Sequence, residues 1–387
     1  MKKITFFINS LTSGGAQKVL SVIISELITQ QYAVELIAIE KEEDNVHTLP
    51  LEVKRTYLSN LSKDDSNLKK LLYLPYIALK LKRHIQKHNI PLVQSHISRA
   101  NLSNILAKLF GAGHQVQVVE STSISNRMGK SFAQRINFFL IQHLYKYADL
   151  IVFKAKRMQS EFFTHIPIKV QSVVINNPYD ITSIEEYSQE AILDFNFEQT
   201  KQYIITVGRL TKIKQQQSMI KSLLALDERI ELIIIGDGEL KEELVTYIKQ
   251  LNLNHRVHLL GKKSNPFKYV NASNIFLLSS RGEGFPNVLI ESMICKTPVI
   301  STDCISGPRE ILAPSSNIAF QLKENIELAE YGILYPIDDE KALLTAINTL
   351  LNDSQLQADY IRKGIKKSQE YALAKIIKQY KEILLQG

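Results

Sequence analysis

The chain has 387 residues, 45% hydrophobic and 22% charged, with a net charge of +8. That length exceeds one ordinary core and asks for two domains, and the composition excludes a disordered or fibrous chain. No apolar run approaches the roughly 20 residues of a bilayer-spanning helix, and only two cysteines, Cys295 and Cys304, exclude a disulfide scaffold and fit a reducing cytoplasm.

The N-terminus carries two lysines before Ile4-Thr-Phe-Phe-Ile8, as a signal peptide would. Its apolar part is too short and no small-residue cleavage site follows, so it predicts a first buried strand. Gly14-Gly15 comes next, then Val19, Leu20, Ile23, Ile24, Leu27 and Ile28 at helical spacing. Further β-branched runs at 34–39, 92–94, 116–119, 150–153 and 172–175 predict more strands, with helical patterns between several of them. The alternation lapses at Asn176-Asn-Pro-Tyr-Asp180, which is turn chemistry, and in the polar stretch up to Thr200. It resumes with runs at 203–207, 231–235, 257–260, 275–278 and 298–301. The last 50 residues or so read as consecutive helices, broken near Asn352-Asp353 and Tyr371. The class is therefore α/β, with parallel sheets and helices on both faces. The expected domains are 1–180 and 181–370.

Charge is unevenly spread. Residues 1–180 hold 23 Lys/Arg against 13 Asp/Glu, a net +10, whereas residues 181–387 carry a net −2. Between 68 and 157 there are 15 basic residues and only two acidic ones, Glu120 and Asp149. An anionic partner is expected for the first half. Within it, residues 68–88 mix Leu, Tyr and Ile with Lys, Arg and His, and Pro75 breaks or starts a helix. Such a segment suits an anionic membrane surface, although an ordinary surface helix has the same pattern. Arg127, Lys130 and Arg135 extend the basic excess and tip the reading towards the membrane. The basic residues lack any nucleic-acid recognition motif, so nucleic acid is disfavoured.

The residues that can carry chemistry sit at predicted strand ends, where parallel sheets gather ligands. Val207-Gly-Arg-Leu-Thr-Lys-Ile-Lys214 puts a guanidinium fork, Arg209, and a point charge, Lys214, after an apolar strand. That pairing suits a diphosphate, though two solvated basic residues would look the same. Gly14 and Gly15 open a helix as a phosphate site would, or as a tight turn would. Gly236-Asp-Gly-Glu239 reads as a turn with a cap at Asp237. In Glu283-Gly-Phe-Pro-Asn-Val-Leu-Ile-Glu291 the first carboxylate lies in a loop, and Pro286 suits the first turn of a helix that carries the second. Two such carboxylates accept hydrogen bonds from vicinal hydroxyls, and the amides of Phe285, Asn287 and Val288 face an anion. Gly284 gives the loop its freedom. His96 ends a strand in the first half, where a buried core histidine and a functional one are equally consistent, and Arg99 and Asn101 cap or line the same cleft. No Asp-x-Asp follows a strand and no His/Cys cluster has metal-ligand spacing, so no metal and no cofactor are expected.

Taken in order, Gly14-Gly15, His96, Gly208-Arg209-Leu with Lys214, and Glu283 with Glu291 resemble the retaining GT-B glycosyltransferases of family 4. The resemblance spans essentially the whole chain and is strongest over 202–312. It implies two facing Rossmann-like domains, the second binding a nucleotide sugar, with a C-terminal helix, about 371–387, crossing back to the first. It implies that Arg209 and Lys214 contact the diphosphate, Glu283 the donor sugar and Glu291 the ribose. His96 would lie beside the transferred sugar and Gly15 near the distal phosphate, with the base in the loop at Gly261 and Lys262. Ser301-Thr-Asp-Cys-Ile-Ser-Gly-Pro-Arg-Glu310 is similar to a segment of bacterial transferases that add galactose or N-acetylgalactosamine from UDP-sugars in surface-polysaccharide and lipid-linked oligosaccharide assembly. The implied partners are a nucleotide-sugar donor, a glycan or polyprenyl-linked acceptor and an anionic membrane, with the protein peripheral on the inner face. One departure is Gln215, where the family usually has glycine. A sugar-nucleotide epimerase on the same fold and a non-catalytic nucleotide-sugar-binding subunit are the alternatives.

Overall fold

The short β-branched runs all become strands, most of them buried on both faces, as parallel strands beneath two helix layers require. The computed structural model describes residues 3–11, 14–41, 49–62, 64–128 and 131–385. The chain divides into two compact units, Met1–Pro178 with Leu373–Gly387, and Tyr179–Ala372. The junction falls inside the turn segment Asn176-Asn-Pro-Tyr-Asp180.

The first unit runs β1 (Lys3–Ile8), α1 (Gly15–Thr29), β2 (Ala33–Ala38), β3 (Lys54–Tyr57), α2 (Asn67–Leu72), α3 (Leu74–His88), β4 (Leu92–His96), α4 (Ser98–Leu109), β5 (Gln115–Glu120), α5 (Phe132–Leu144), β6 (Leu150–Phe153), α6 (Lys156–His165) and β7 (Ser172–Val174). Its seven strands are all parallel, in the order β3-β2-β1-β4-β5-β6-β7. The chain lays strands outwards on one side of β1 and then crosses to β4, so the switch point lies between β1 and β4. Ile8 there pairs with His96.

The second unit contains α7 (Ile181–Ser188), β8 (Gln202–Val207), α8 (Gln216–Ser222), β9 (Ile230–Ile235), α9 (Lys241–Gln250), β10 (Val257–Gly261), α10 (Phe267–Asn271), β11 (Ile275–Leu278), α11 (Asn287–Ile294), β12 (Val299–Thr302), α12 (Pro308–Leu312), β13 (Glu327–Leu328), β14 (Ile333–Tyr335), α13 (Glu340–Asn352) and α14 (Ser354–Ser368). Its strand order is β10-β9-β8-β11-β12-β14-β13, with the switch point between β8 and β11. The last helix, α15 (Leu373–Leu384), returns to the first unit, where Ile376, Ile377, Tyr380 and Leu384 share a core with α1 and the sheet.

The structure departs from the sequence-based expectation in a few places. The second sheet is not wholly parallel: its two-residue edge strand β13 runs antiparallel to β14. Strand β3 reads Lys-Arg-Thr-Tyr and is mostly exposed, so it lacks the apolar run that marks a strand. Helix α7 occupies part of the polar stretch after the junction, capped by Asp180, whose side chain accepts from the Ser183 amide. The C-terminal helices break where expected because Asp353 caps α14 and a 3-10 turn ends at Tyr371. Pro75 sits in the first turn of α3, where its missing N–H is tolerated.

Candidate active site

Two loops flank the switch point of the second sheet, and the structure joins them. Lys214 closes a single 3-10 turn after β8, and Glu283 lies in the loop after β11. Lys214 Nζ sits 2.6 Å from Glu283 Oε1, with both side chains largely buried. The Ser279 hydroxyl, just past β11, donates to the carbonyls of Lys214 and Gln215 at 3.0 and 3.1 Å. Arg209 is exposed on the same β8 loop. Lys214 and Glu283, expected to serve a diphosphate and a sugar separately, form one charged pair. An ammonium has three protons, so Lys214 can hold Glu283 and still donate to an anion.

The β8 loop packs backbone to backbone on the β9 loop. A Cβ on Gly236 would come within 1.8 Å of the Gly208 carbonyl, and one on Gly238 within 2.4 Å of the Leu210 carbonyl. The glycines of Gly236-Asp-Gly-Glu239 therefore allow that approach. The expected cap at Asp237 is absent: α9 begins at Lys241 after Leu240, and the Asp237 carboxylate accepts from the next amide, that of Gly238, while its carbonyl accepts from Leu210. Gln215 takes φ +56, the left-handed region, which explains why glycine is usual there.

The Glu283 loop rests on the segment after β12. Gly282 bridges to Ile305, and the Ser306 hydroxyl donates to the Gly284 carbonyl at 2.8 Å. Gly307 has φ +92, and a Cβ there would meet Pro286 Cδ at 2.3 Å. Burial, and then the Glu283 carboxylate, push the Cys304 thiol far above its usual range, so it stays protonated beside the pair. Ser306 and Gly307 lie in Ile305-Ser-Gly-Pro308, inside the segment that carries the narrower family likeness, and that is their signal in the sequence.

Helix α11 begins at Asn287, with Pro286 as its N-cap instead of its first-turn residue. The amides of Asn287 and Val288 lie in the first turn, where an α-helix supplies no internal partner. Phe285 is buried against Tyr371, with ring centroids 5.5 Å apart. Asn287 and Glu291, four apart, share one helix face. Tyr179 lies across it: its hydroxyl donates to Asn287 Oδ1 at 2.8 Å. Burial first, and then the Glu291 charge, hold that phenol well above its usual range. In sequence, Tyr179 carries only the turn signal of Asn176-Asn-Pro-Tyr-Asp180. Gly261 ends β10 at φ +67 and Lys262 is exposed beyond it, but β9 stands between β10 and β8, so these two are not joined to the pair.

In the first unit, Gly14 is the N-cap of α1 and Gly15 its first residue, and among the described residues no side chain caps that helix. His96 ends β4, only 1% exposed, edge-on to Phe6 with ring centroids 5.9 Å apart. Burial, and then the Lys154 charge, push its imidazole well below the usual range, so it is neutral. The next residue, Ile97, takes φ +72, a strained conformation for a β-branched side chain. Arg99 pairs with Glu40 at 2.6 Å, and the fully buried Asn101 donates to the Val119 carbonyl, Glu120 and Tyr145. Arg127 forms a forked contact with Glu120 and Ser98. Lys130 lies outside the described residues. Among the described residues no group of three or more metal-ligating side chains occurs.

Residues 188–367 match the family profile of glycosyl transferases group 1. Over 386 residues, and the full length of both chains, the protein is 31% identical to an N-acetylgalactosaminyltransferase of Campylobacter jejuni, named for its acceptor N-acetylgalactosamine-N,N'-diacetylbacillosaminyl-diphospho-undecaprenol. The chain belongs to the group 1 glycosyl transferases. This glycosyltransferase is also 32% identical to an uncharacterized glycosyltransferase of Methanocaldococcus jannaschii, over 82% of this chain and 84% of that one. Its fold matches that of Anabaena HepE, solved in complex with UDP, with a TM-score of 0.74 and 20% identity over the whole of both chains. It also matches the lipopolysaccharide outer core galactosyltransferase WaaB, with a TM-score of 0.70 and 21% identity over 99% of each. The fold of the transferase is therefore GT-B.

Proposed function

We propose that this transferase moves a hexose or N-acetylhexosamine from a UDP-sugar to a glycan on a lipid carrier or growing surface polysaccharide. The proposal includes retention of anomeric configuration, as in family 4, without a metal, at the cytoplasmic membrane face. The observation that carries it is the Lys214–Glu283 pair, drawn from the two loops at the switch point of one sheet, with Arg209 on the same β8 loop. Fixed cations at that point can take up the charge that develops on a departing diphosphate. Glu283 then binds sugar hydroxyls while steadying Lys214, and Glu291 binds the ribose. The bond from the anomeric carbon to phosphate breaks, a bond to the acceptor oxygen forms on the same face, and the acceptor proton passes to the leaving phosphate. Neutral His96 contributes a hydrogen bond to the sugar and no charge.

The Campylobacter relative's acceptor is a diphospho-undecaprenol glycan, which supports a lipid-linked acceptor here. A membrane site has its own support. The outer faces of α2, α3 and α5 expose Leu68, Leu72, Tyr73, Tyr76, Phe132 and Phe139 among Lys69, Arg83 and Arg135. Apolar side chains beside lysines and arginines suit an anionic bilayer surface. Among the described residues no helix is long and apolar enough to cross one.

The test is incubation with a panel of UDP- and GDP-sugars and a membrane extract, with NMR of the product linkage. A product with the donor's anomeric configuration, made from UDP-N-acetylgalactosamine, UDP-galactose or UDP-N-acetylglucosamine, is expected. An inverted linkage, or use of GDP-sugars alone, contradicts the reading.

A further inference from the structure

One face of the first sheet, covered by α1 and α15, carries a row of buried amides. Gln117 in β5 donates from Nε2 to the main-chain carbonyl of Ile383 in α15 at 2.7 Å. Gln94 in β4, its partner in the register, donates from Nε2 to Gln117 Oε1 at 2.8 Å. Gln94 Oε1 in turn lies 3.2 Å from His96 Nε2, two residues along the same strand and so on the same face.

The direction of this row is set at its far end. A main-chain carbonyl has no proton to give, so Ile383 can only accept. Gln117 must therefore turn its NH2 towards the helix and its oxygen towards Gln94. Gln94 must then turn its NH2 towards Gln117 and its oxygen towards His96. Reversing either amide sets oxygen against oxygen at 2.7 or 2.8 Å, between side chains that are 0% and 5% exposed. Among the described residues, the one group left to supply a proton to Gln94 Oε1 is His96 Nε2. Among the described residues, Nδ1 of His96 takes part in no hydrogen bond.

We propose that the C-terminal helix, acting through Gln117 and Gln94, holds His96 as the tautomer protonated on Nε2, leaving Nδ1 to accept a hydrogen bond from a hydroxyl of the transferred sugar. The second half of this rests on the reading of His96 given above. Gln94 and Gln117 are positioning residues. Lys154, at the end of β6 on the same face, supports the arrangement. Its Nζ bonds the Tyr380 hydroxyl of α15, and burial brings its ammonium down to about 7. Burial first, and then the Lys154 charge, disfavour the His96 imidazolium, which would have no acceptor nitrogen to offer. The returning helix thus sets the hydrogen-bonding sense of a side chain nearly 300 residues earlier in the chain.

Nitrogen NMR of the histidine rings in the full-length, ligand-free protein tests the first half directly. His96 is assigned by its loss in His96→Gln, among nine histidines. The expected spectrum at neutral pH has a pyrrole-like Nε2 and a pyridine-like Nδ1. Gln117→Leu should let the Nδ1-protonated form appear and lower kcat about tenfold, the scale of one hydrogen bond. UDP affinity by calorimetry should be unchanged, because Arg209, Lys214 and Glu291, the residues read as holding the diphosphate and ribose, lie in the other unit. A wild-type His96 protonated on Nδ1, or on both nitrogens, overturns the proposal, and this arm needs no variant to fold. An unaltered tautomer in Gln117→Leu overturns the role of the helix. A shifted tautomer with unchanged kcat keeps the relay and overturns the sugar contact.

Discussion

Lys214 and Glu283 are 69 residues apart and meet at 2.6 Å. Their contact makes the two roles interdependent. Lys214→Met should lower kcat/KM about 100-fold, in the range seen when a charge-stabilising donor is removed. Glu283→Gln should change the ratio of rates among donor sugars more than UDP affinity, whereas Glu291→Ala should weaken UDP whichever sugar is attached. Initial rates and calorimetry separate the three, and equal loss of UDP binding in all of them would contradict the division. A different residue governs acid stability. Glu35 is fully buried, with Lys3 and Lys54 at 2.6 and 3.3 Å and His84 at 3.0 Å. Burial alone would raise its carboxyl, but the Lys3 hydrogen bond and the surrounding charges override it and lower it from 4.5 to about 2. The folded value lies below the unfolded one, so the stabilisation is complete above 4.5 and is lost as pH falls towards about 2. It amounts to roughly 3 kcal/mol at most. Urea midpoints against pH should show this loss in the wild type and a flatter profile in Glu35→Gln. At this scale residue types and their order were legible: Arg209, Lys214 and Glu283 lie in the loops that follow strands, and Glu291 in the helix after the second of them. Their partners were not, because pairing across 69 residues depends on strand order, which local pattern does not encode.

The elements carry the site through close approaches between loops. Gly307 lies at φ +92 against Pro286, and the Ser306 hydroxyl holds the Gly284 carbonyl. Gly307→Ala should therefore displace the Glu283 loop, destabilise the second unit by about 1–3 kcal/mol and reduce kcat. Thermal melts and rates check this, and wild-type values in both would contradict the account of the loop. Apolar runs revealed nearly every strand, since buried parallel strands must be apolar on both faces. They failed for β3, whose exposed charged residues carry no such signal, and for β13 and β14, only two and three residues long. Gly236 and Gly238 were visible as glycines, yet what they approach, the Gly208 and Leu210 carbonyls, is a property of the packed sheet.

For the whole molecule, the two-unit division was legible from length and from the lapse in alternation, and the return of α15 came from family resemblance alone. The charge asymmetry acquires a surface: exposed Leu72 and Phe132 lie on neighbouring helices α2 and α5 of the cationic unit. Flotation with vesicles should show binding to anionic bilayers that weakens with salt, and Leu72→Asp with Phe132→Asp should abolish it. Equal binding to neutral vesicles would contradict an electrostatic contribution. The central claim is glycosyl transfer from a UDP-sugar to a lipid-linked glycan, with fixed positive charge taking up the diphosphate. It is tested most directly by UDP release with and without a diphospho-undecaprenol-linked glycan, in the presence of EDTA. The expected release requires the acceptor, persists under chelation and collapses in Lys214→Met. Release that stops with EDTA, or conversion of the donor with no acceptor present, would contradict it.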